Sequence, residues 1–193
     1  MSKKRCRLEE SVKTHKGGLK MKLIGTMLLG FILGSAILAA AGYYYISSGS
    51  APVSTAAPPL PFEKTITHMA LDARIQKEAP AKSRLPLSDE NLVAGARAYV
   101  SNCAVCHGLS GQPETAIAKG MFPHPPQLFK GNGVIDDSIG ETYWKIENGI
   151  RLTGMPAFRQ SLTEDQIWQL SLLLANSDKL PAEAKTIVSS AAP

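Results

Sequence analysis

Cysteine is scarce in this chain. Three thiols occur in 193 residues, at positions 6, 103 and 106. So few cannot build a disulfide scaffold. They also leave no second C-x-x-C, and His68 and His124 stand alone, so a four-ligand zinc site has no obvious second half. Strand-forming runs are missing as well. Without an alternation of strands and helices, the βαβ setting of a thioredoxin-like redox pair is absent. Charge is missing from Leu23 to Ile46. No cysteine comes directly after that apolar run, which argues against a lipoprotein anchor. Net charge is missing beyond it: residues 47–193 hold 13 basic and 14 acidic side chains. The formal charge of +5 therefore belongs to the N-terminal arm and gives no nucleic-acid signal.

What the chain does have is Cys103-Ala104-Val105-Cys106-His107. This C-x-x-C-H run is the attachment signature of a covalent c-type haem. Two thiols one turn apart can both add to the porphyrin vinyl groups. The histidine directly after them can present an imidazole nitrogen to the iron. Thiol redox chemistry, a structural disulfide and half of a zinc site are the rival readings of the same residues.

The chain divides by composition. Residues 1–22 carry eight Lys or Arg and two Glu, a basic arm that topology rules keep in the cytoplasm. Residues 23–46 are long enough for one transmembrane helix, with Tyr43, Tyr44 and Tyr45 at the exit interface. Cleavage as a secretory signal is the alternative, because Ala39-Ala40-Ala41 offers an A-x-A site. Either way residues 47–193 are exported, while Cys6 stays behind as an inert thiol. Residues 47–61, rich in Ser, Ala and Pro, read as a flexible linker. In residues 62–86, Phe62, Ile66, Met69, Ala70 and Ala73 recur at helical steps and predict an amphipathic helix over 62–78, before a connector from Pro80 to Pro86. His68 lies in that helix and reads as a surface residue.

Residues 87–177 form the expected compact domain. Ser88 caps a helix reaching about Val100, with Leu92, Val93, Ala96 and Tyr99 on one side. Ser138 caps a second, which Gly149 ends. Thr163 and Gln166 make a capping box before a strongly apolar last helix. Residues 178–193, rich in Ala and Ser, read as a frayed tail. A domain near 90 residues is small for a protein-only core, and a buried haem would supply apolar mass.

In this order of features, residues 87–177 resemble a class I cytochrome c carrying a single haem. The resemblance rests on the capped helix before Cys103, Cys106 and His107, and on Gly154-Met155-Pro156-Ala157-Phe158 ahead of the last helix. It rests also on Gly95 and Tyr99 with Trp168, and on Pro126-Gln127-Leu128. It implies an all-α class I cytochrome c fold around one covalent haem c, preceded by the N-terminal transmembrane helix. Met155 would be the sixth iron ligand opposite His107. The Pro126 carbonyl, or that of Pro125, would accept the Nδ1 proton of His107. Gly95 and Tyr99 would meet Trp168 where the terminal helices cross. Met121 and His124 sit in the intervening loop and are not expected as ligands. Trp144 or Arg151 could meet a haem propionate.

With both axial positions filled, the implied role is one-electron transfer and not catalysis. The expected partners are membrane-bound or periplasmic redox proteins and membrane lipid, with no nucleic acid. The expected location is the inner membrane, single-pass, with the cytochrome domain on the periplasmic side; after signal cleavage it would be free in the periplasm. Docking to a larger membrane oxidoreductase is the alternative role, ahead of thiol-redox or ligand-binding chemistry.

Overall fold

The computed structural model describes residues 3–131 and 133–190, with side chains from residue 21 onward. The expectation for the Cys6 thiol lies outside the described side chains. The described residues are all helical, without strands, and divide into two compact units at Val53/Ser54.

The first unit is dominated by one helix, α1 (Lys3–Ser47). Its stretch Met21–Ser47 has a mean hydropathy of 2.2 and is bare of protein contact. At 1.5 Å per residue these 27 residues extend about 40 Å, enough to cross a ~30 Å hydrocarbon core. Gly25, Gly30, Gly34 and Gly42 open no gap here, because nothing approaches them within 4 Å.

The second unit contains α2 (Glu63–Glu78), α3 (Asp89–Asn102), α4 (Ala104–His107), α5 (Ala116–Gly120), α6 (Ile139–Asn148), a 3-10 turn (Phe158–Gln160), α7 (Glu164–Ala175) and α8 (Ala182–Ser190). Local chemistry sets the helix starts. The Ser88 hydroxyl accepts from the Asn91 N–H at 3.3 Å, with Asp89 and Glu90 in the first turn to oppose the positive helix end. Ser138 caps α6 in the same way, and Thr163 with Gln166 closes a reciprocal capping box on α7.

The core sits where α3 crosses α7, with α6 against α7 and α8 against α3. Leu92, Ala96 and Tyr99 meet Ile167, Leu170, Leu173 and Leu174 there. Gly95 makes the crossing possible. A Cβ at that position would overlap the Gln169 carbonyl oxygen and lie 2.8 Å from its carbon. The atoms facing Gly95 thus belong to Gln169 and Leu173. Trp168, buried in the same core, stacks on Tyr143 of α6, ring centroids 4.0 Å apart. The terminal helices cross at Gly95 as expected, with Gln169, the residue after Trp168, nearest to the glycine.

Two elements depart from expectation. Residues 182–190 are not a frayed tail but helix α8. Leu180, Ala184 and Val188 are buried at i, i+4 and i+8, and Ser110 N–H donates to the Val188 carbonyl at 2.9 Å. The small residues that look like tail composition are what let α8 lie close on α3. Helix α2 forms as expected but docks through the opposite face. Ile75 is buried and Leu71 half-buried, while Phe62, Ile66, Met69, Ala70 and Ala73 are exposed.

Candidate cofactor site

Helix α3 delivers Cys103 as its C-terminal cap, with the Cys103 N–H donating to the Tyr99 carbonyl at 2.8 Å. The chain then makes a single further helical turn. Cys106 and His107 donate to the Cys103 carbonyl at 3.1 and 2.9 Å, and Gly108 to that of Ala104 at 2.9 Å. The spacing of the motif thus becomes one turn that carries both thiols and the imidazole. Gly108 ends it at φ 74, where the Gln127 amide would stand 2.8 Å from any Cβ. The Tyr99 hydroxyl, fully buried, donates to the Gly108 carbonyl at 2.6 Å and ties the turn to the core.

Both thiols of the turn are free and partly buried. Burial, and then the neighbouring Cys106, push the Cys103 thiol up to about 12. A redox thiol needs the opposite shift, toward thiolate at neutral pH. Among the described residues, no group of three or more His, Cys, Asp or Glu gathers that could hold a metal ion. The C-x-x-C pair therefore has no zinc partners in that part of the chain.

His107 Nδ1 lies 2.8 Å from the Pro126 carbonyl oxygen. A carbonyl can only accept, so Nδ1 carries the proton. Burial lowers the pKa of the ring, against an opposing pull from the Pro126 contact. The neutral imidazole then keeps its lone pair on Nε2, the state a metal-ligating histidine needs. The segment after Pro126 holds it in place: Leu128 is buried, and Phe129 packs edge-on against Tyr99 at 4.9 Å.

Met155 sits in the loop between α6 and the 3-10 turn and packs, half-buried, against the core. That loop is closely tied. The Thr153 hydroxyl donates to the Ile150 carbonyl at 2.6 Å and accepts from the Met155 N–H at 3.1 Å. The Ile150 N–H donates to the Met155 carbonyl at 3.2 Å. Gly149 enters the loop at φ 67, with the Pro156 carbonyl carbon 2.6 Å from where a Cβ would be.

Sequence reasoning missed one neighbour of this loop. The Met121 methyl lies where a side chain on Gly154 would go, with the sulfur 3.6 Å from that point. A glycine directly before Met155 was the available signal. His124 instead pairs with Glu114 at 3.4 Å. Trp144 Nε1 donates to Glu78 at 3.2 Å, so α2 already uses that donor, and Arg151 is exposed.

An open groove of about 590 Å³ borders His107 and is lined also by Leu109, Gln127, Phe129 and Lys130. Neither thiol nor Met155 lines it. The groove therefore belongs to the loop side of the histidine and does not mark the face between the two candidate ligands.

The residues present fit a covalently held haem: two free thiols on one turn, a neutral histidine with Nε2 available, and a thioether on a braced loop. Residues 90–172, which contain all of them, match the family model described as cytochrome C oxidase, cbb3-type, subunit III.

Proposed function

We propose that this chain, whose residues 90–172 form a class I cytochrome c domain, is a membrane-tethered carrier of single electrons in the bacterial cell envelope. A bound haem c supplies a one-electron iron couple. The chain's own residues do the rest. Cys103 and Cys106 would hold the group through two thioethers. His107 Nε2 would ligate the iron, and the Pro126 carbonyl fixes the tautomer and ring direction of that histidine. Met155 would supply a second ligand to the iron, and its soft, uncharged sulfur would favour the reduced metal. With His107 and Met155 both on the iron, no position would be left for oxygen or peroxide, so this chain by itself would carry electrons and not catalyse.

The observation that carries this reading is the His107–Pro126 hydrogen bond. It sits on the turn that also presents two unpaired thiols, and it leaves the Nε2 lone pair for a metal. Helix α1 supports the tether: it is long and apolar enough to cross a membrane. The basic arm before it supports export of residues 47–193. Tethering raises the effective concentration toward membrane-bound redox partners.

A second reading is favoured by the family match, whose description is that of an oxidase subunit. In it the chain passes electrons within a larger membrane complex. Carbon monoxide added to the reduced full-length protein tests the shared core of both readings. An unchanged spectrum is expected; a prompt shift would mean that the iron has an open position and that ligand chemistry is the function. Native electrophoresis after mild detergent extraction separates the two readings: a lone band favours the free carrier, a stable larger band the subunit.

A further inference from the structure

Helix α2 is apolar on two opposite faces, and only one is used. Ile75 is buried against the domain, and beside it Trp144 Nε1 of α6 bonds Glu78. Nine residues at about 100° each place Ile66 about 180° away from Ile75. There Phe62, Ile66 and Met69 line up at helical spacing and are 76%, 63% and 67% exposed. Phe62 stands at φ 63, in the left-handed region that bulky side chains avoid, and is nonetheless held outward. Ala73 continues the stripe.

We propose that this stripe lies in the phospholipid headgroup interface and lays the domain against the membrane. The inference rests on the reading of α1 as a membrane anchor. The stripe begins just past the linker that comes after Ser47. Fourteen residues separate Ser47 from Phe62, and a flexible linker of that length spans roughly 20 Å root-mean-square. With Ser47 at the bilayer surface, lipid is the surface the stripe meets continuously. Three large side chains fall well short of the roughly 20–30 residues per side of a stable protein interface. They suffice for an amphipathic helix that only dips into a bilayer it is already tied to. The charges of α2 balance, with Glu63, Asp72 and Glu78 against Lys64, Arg74 and Lys77. Lipid of either charge should therefore serve, and salt should not release the helix.

The test uses full-length holoprotein with Cys6→Ser in phosphatidylcholine vesicles, spin-labelled singly at Ile66→Cys, Met69→Cys or Lys64→Cys. Lys64 is exposed on the far side of the stripe and serves as the control. Collisions with oxygen, which concentrates in lipid, are compared with those of a water-soluble nickel chelate. The oxygen-to-nickel ratio should be several-fold higher at 66 and 69 than at 64, and unchanged in high salt. Free access of both reagents at 66 and 69 overturns the proposal. Loss of access to both, with spectral broadening that grows with protein concentration, overturns it in favour of a second copy. Failure of the protein to float with vesicles overturns it together with the anchor reading. Three labels per chain instead of one would show Cys103 and Cys106 unblocked, which strikes at haem attachment and not at the stripe.

Discussion

Replacing Gly95 by alanine should weaken the domain, although alanine is the better helix former. Exchange of glycine for alanine inside a helix gains about 1 kcal/mol. Against that, the new methyl would sit 2.8 Å from the Gln169 carbonyl carbon and 3.1 Å from the Leu173 Cβ, and would overlap the Gln169 oxygen. The obstacle is backbone and cannot rotate aside, so α3 and α7 must move apart. Overpacking of this kind costs about 1–3 kcal/mol, and a backbone obstacle belongs at the upper end. A net loss of about 2 kcal/mol corresponds to a fall in Tm of about 7 °C for a unit of about 140 residues, Ser54–Pro193. Tryptophan fluorescence of the full-length protein in detergent is the assay. The only two tryptophans, Trp144 and Trp168, lie in the second unit, so α1 does not enter the signal. Gly120→Ala is the control, since nothing approaches Gly120 within 4 Å. It should melt with the parent or above it. A Gly95→Ala protein that melts with the parent or higher would refute the close helix crossing.

Other substitutions probe the site. Tyr99→Phe leaves the Gly108 carbonyl without its 2.6 Å donor and should cost about 1–3 kcal/mol, read as a lower urea midpoint. Met155→Ala should keep the haem covalently bound but lower its reduction potential and let carbon monoxide bind; an unchanged potential removes Met155 from the iron. Cys103→Ala with Cys106→Ala should release haem into acidified acetone, and retention there would sink covalent attachment. Stability should also fall in alkali. Burial, and then Glu147, push the Tyr143 hydroxyl up to about 12, above its ordinary 10.0. Its contribution is therefore full below about pH 10 and is lost as pH rises toward about 12. Urea midpoints should fall less steeply across that window in Tyr143→Phe, the remaining slope coming from the Tyr99 hydroxyl, which burial also pushes up.

Features that depend on a few neighbouring residues were readable from the sequence. Ser88, Ser138 and the Thr163–Gln166 pair mark helix starts because a cap is a local bond between residues three apart. The C-x-x-C-H turn is legible for the same reason. What escaped depends on neighbours distant in sequence. Helix α8 looks like a tail until α3 is there to bury Ala184 and Val188. The periodicity of α2 announces a helix, yet the longer apolar stripe is the one left exposed, and Ile75 alone is buried. The stacking of Trp168 on Tyr143 joins α7 to α6, which no local pattern relates. The approach of Met121 to Gly154 joins two loops that no local pattern relates. The family resemblance points to the Pro126 carbonyl with Pro125 as the alternative, and only the folded chain places His107 Nδ1 on Pro126.

The most direct test of the central claim is the absorption spectrum of the full-length protein, oxidised and reduced, after expression with a c-haem assembly system. A His107/Met155 cytochrome should show a sharp α-band of low-spin haem on reduction. In the oxidised form it should show a weak far-red band from charge transfer between the Met155 sulfur and iron. A sharp α-band without the sulfur band would contradict His107/Met155 ligation. Absence of any haem band, despite competent assembly, would contradict the cytochrome itself.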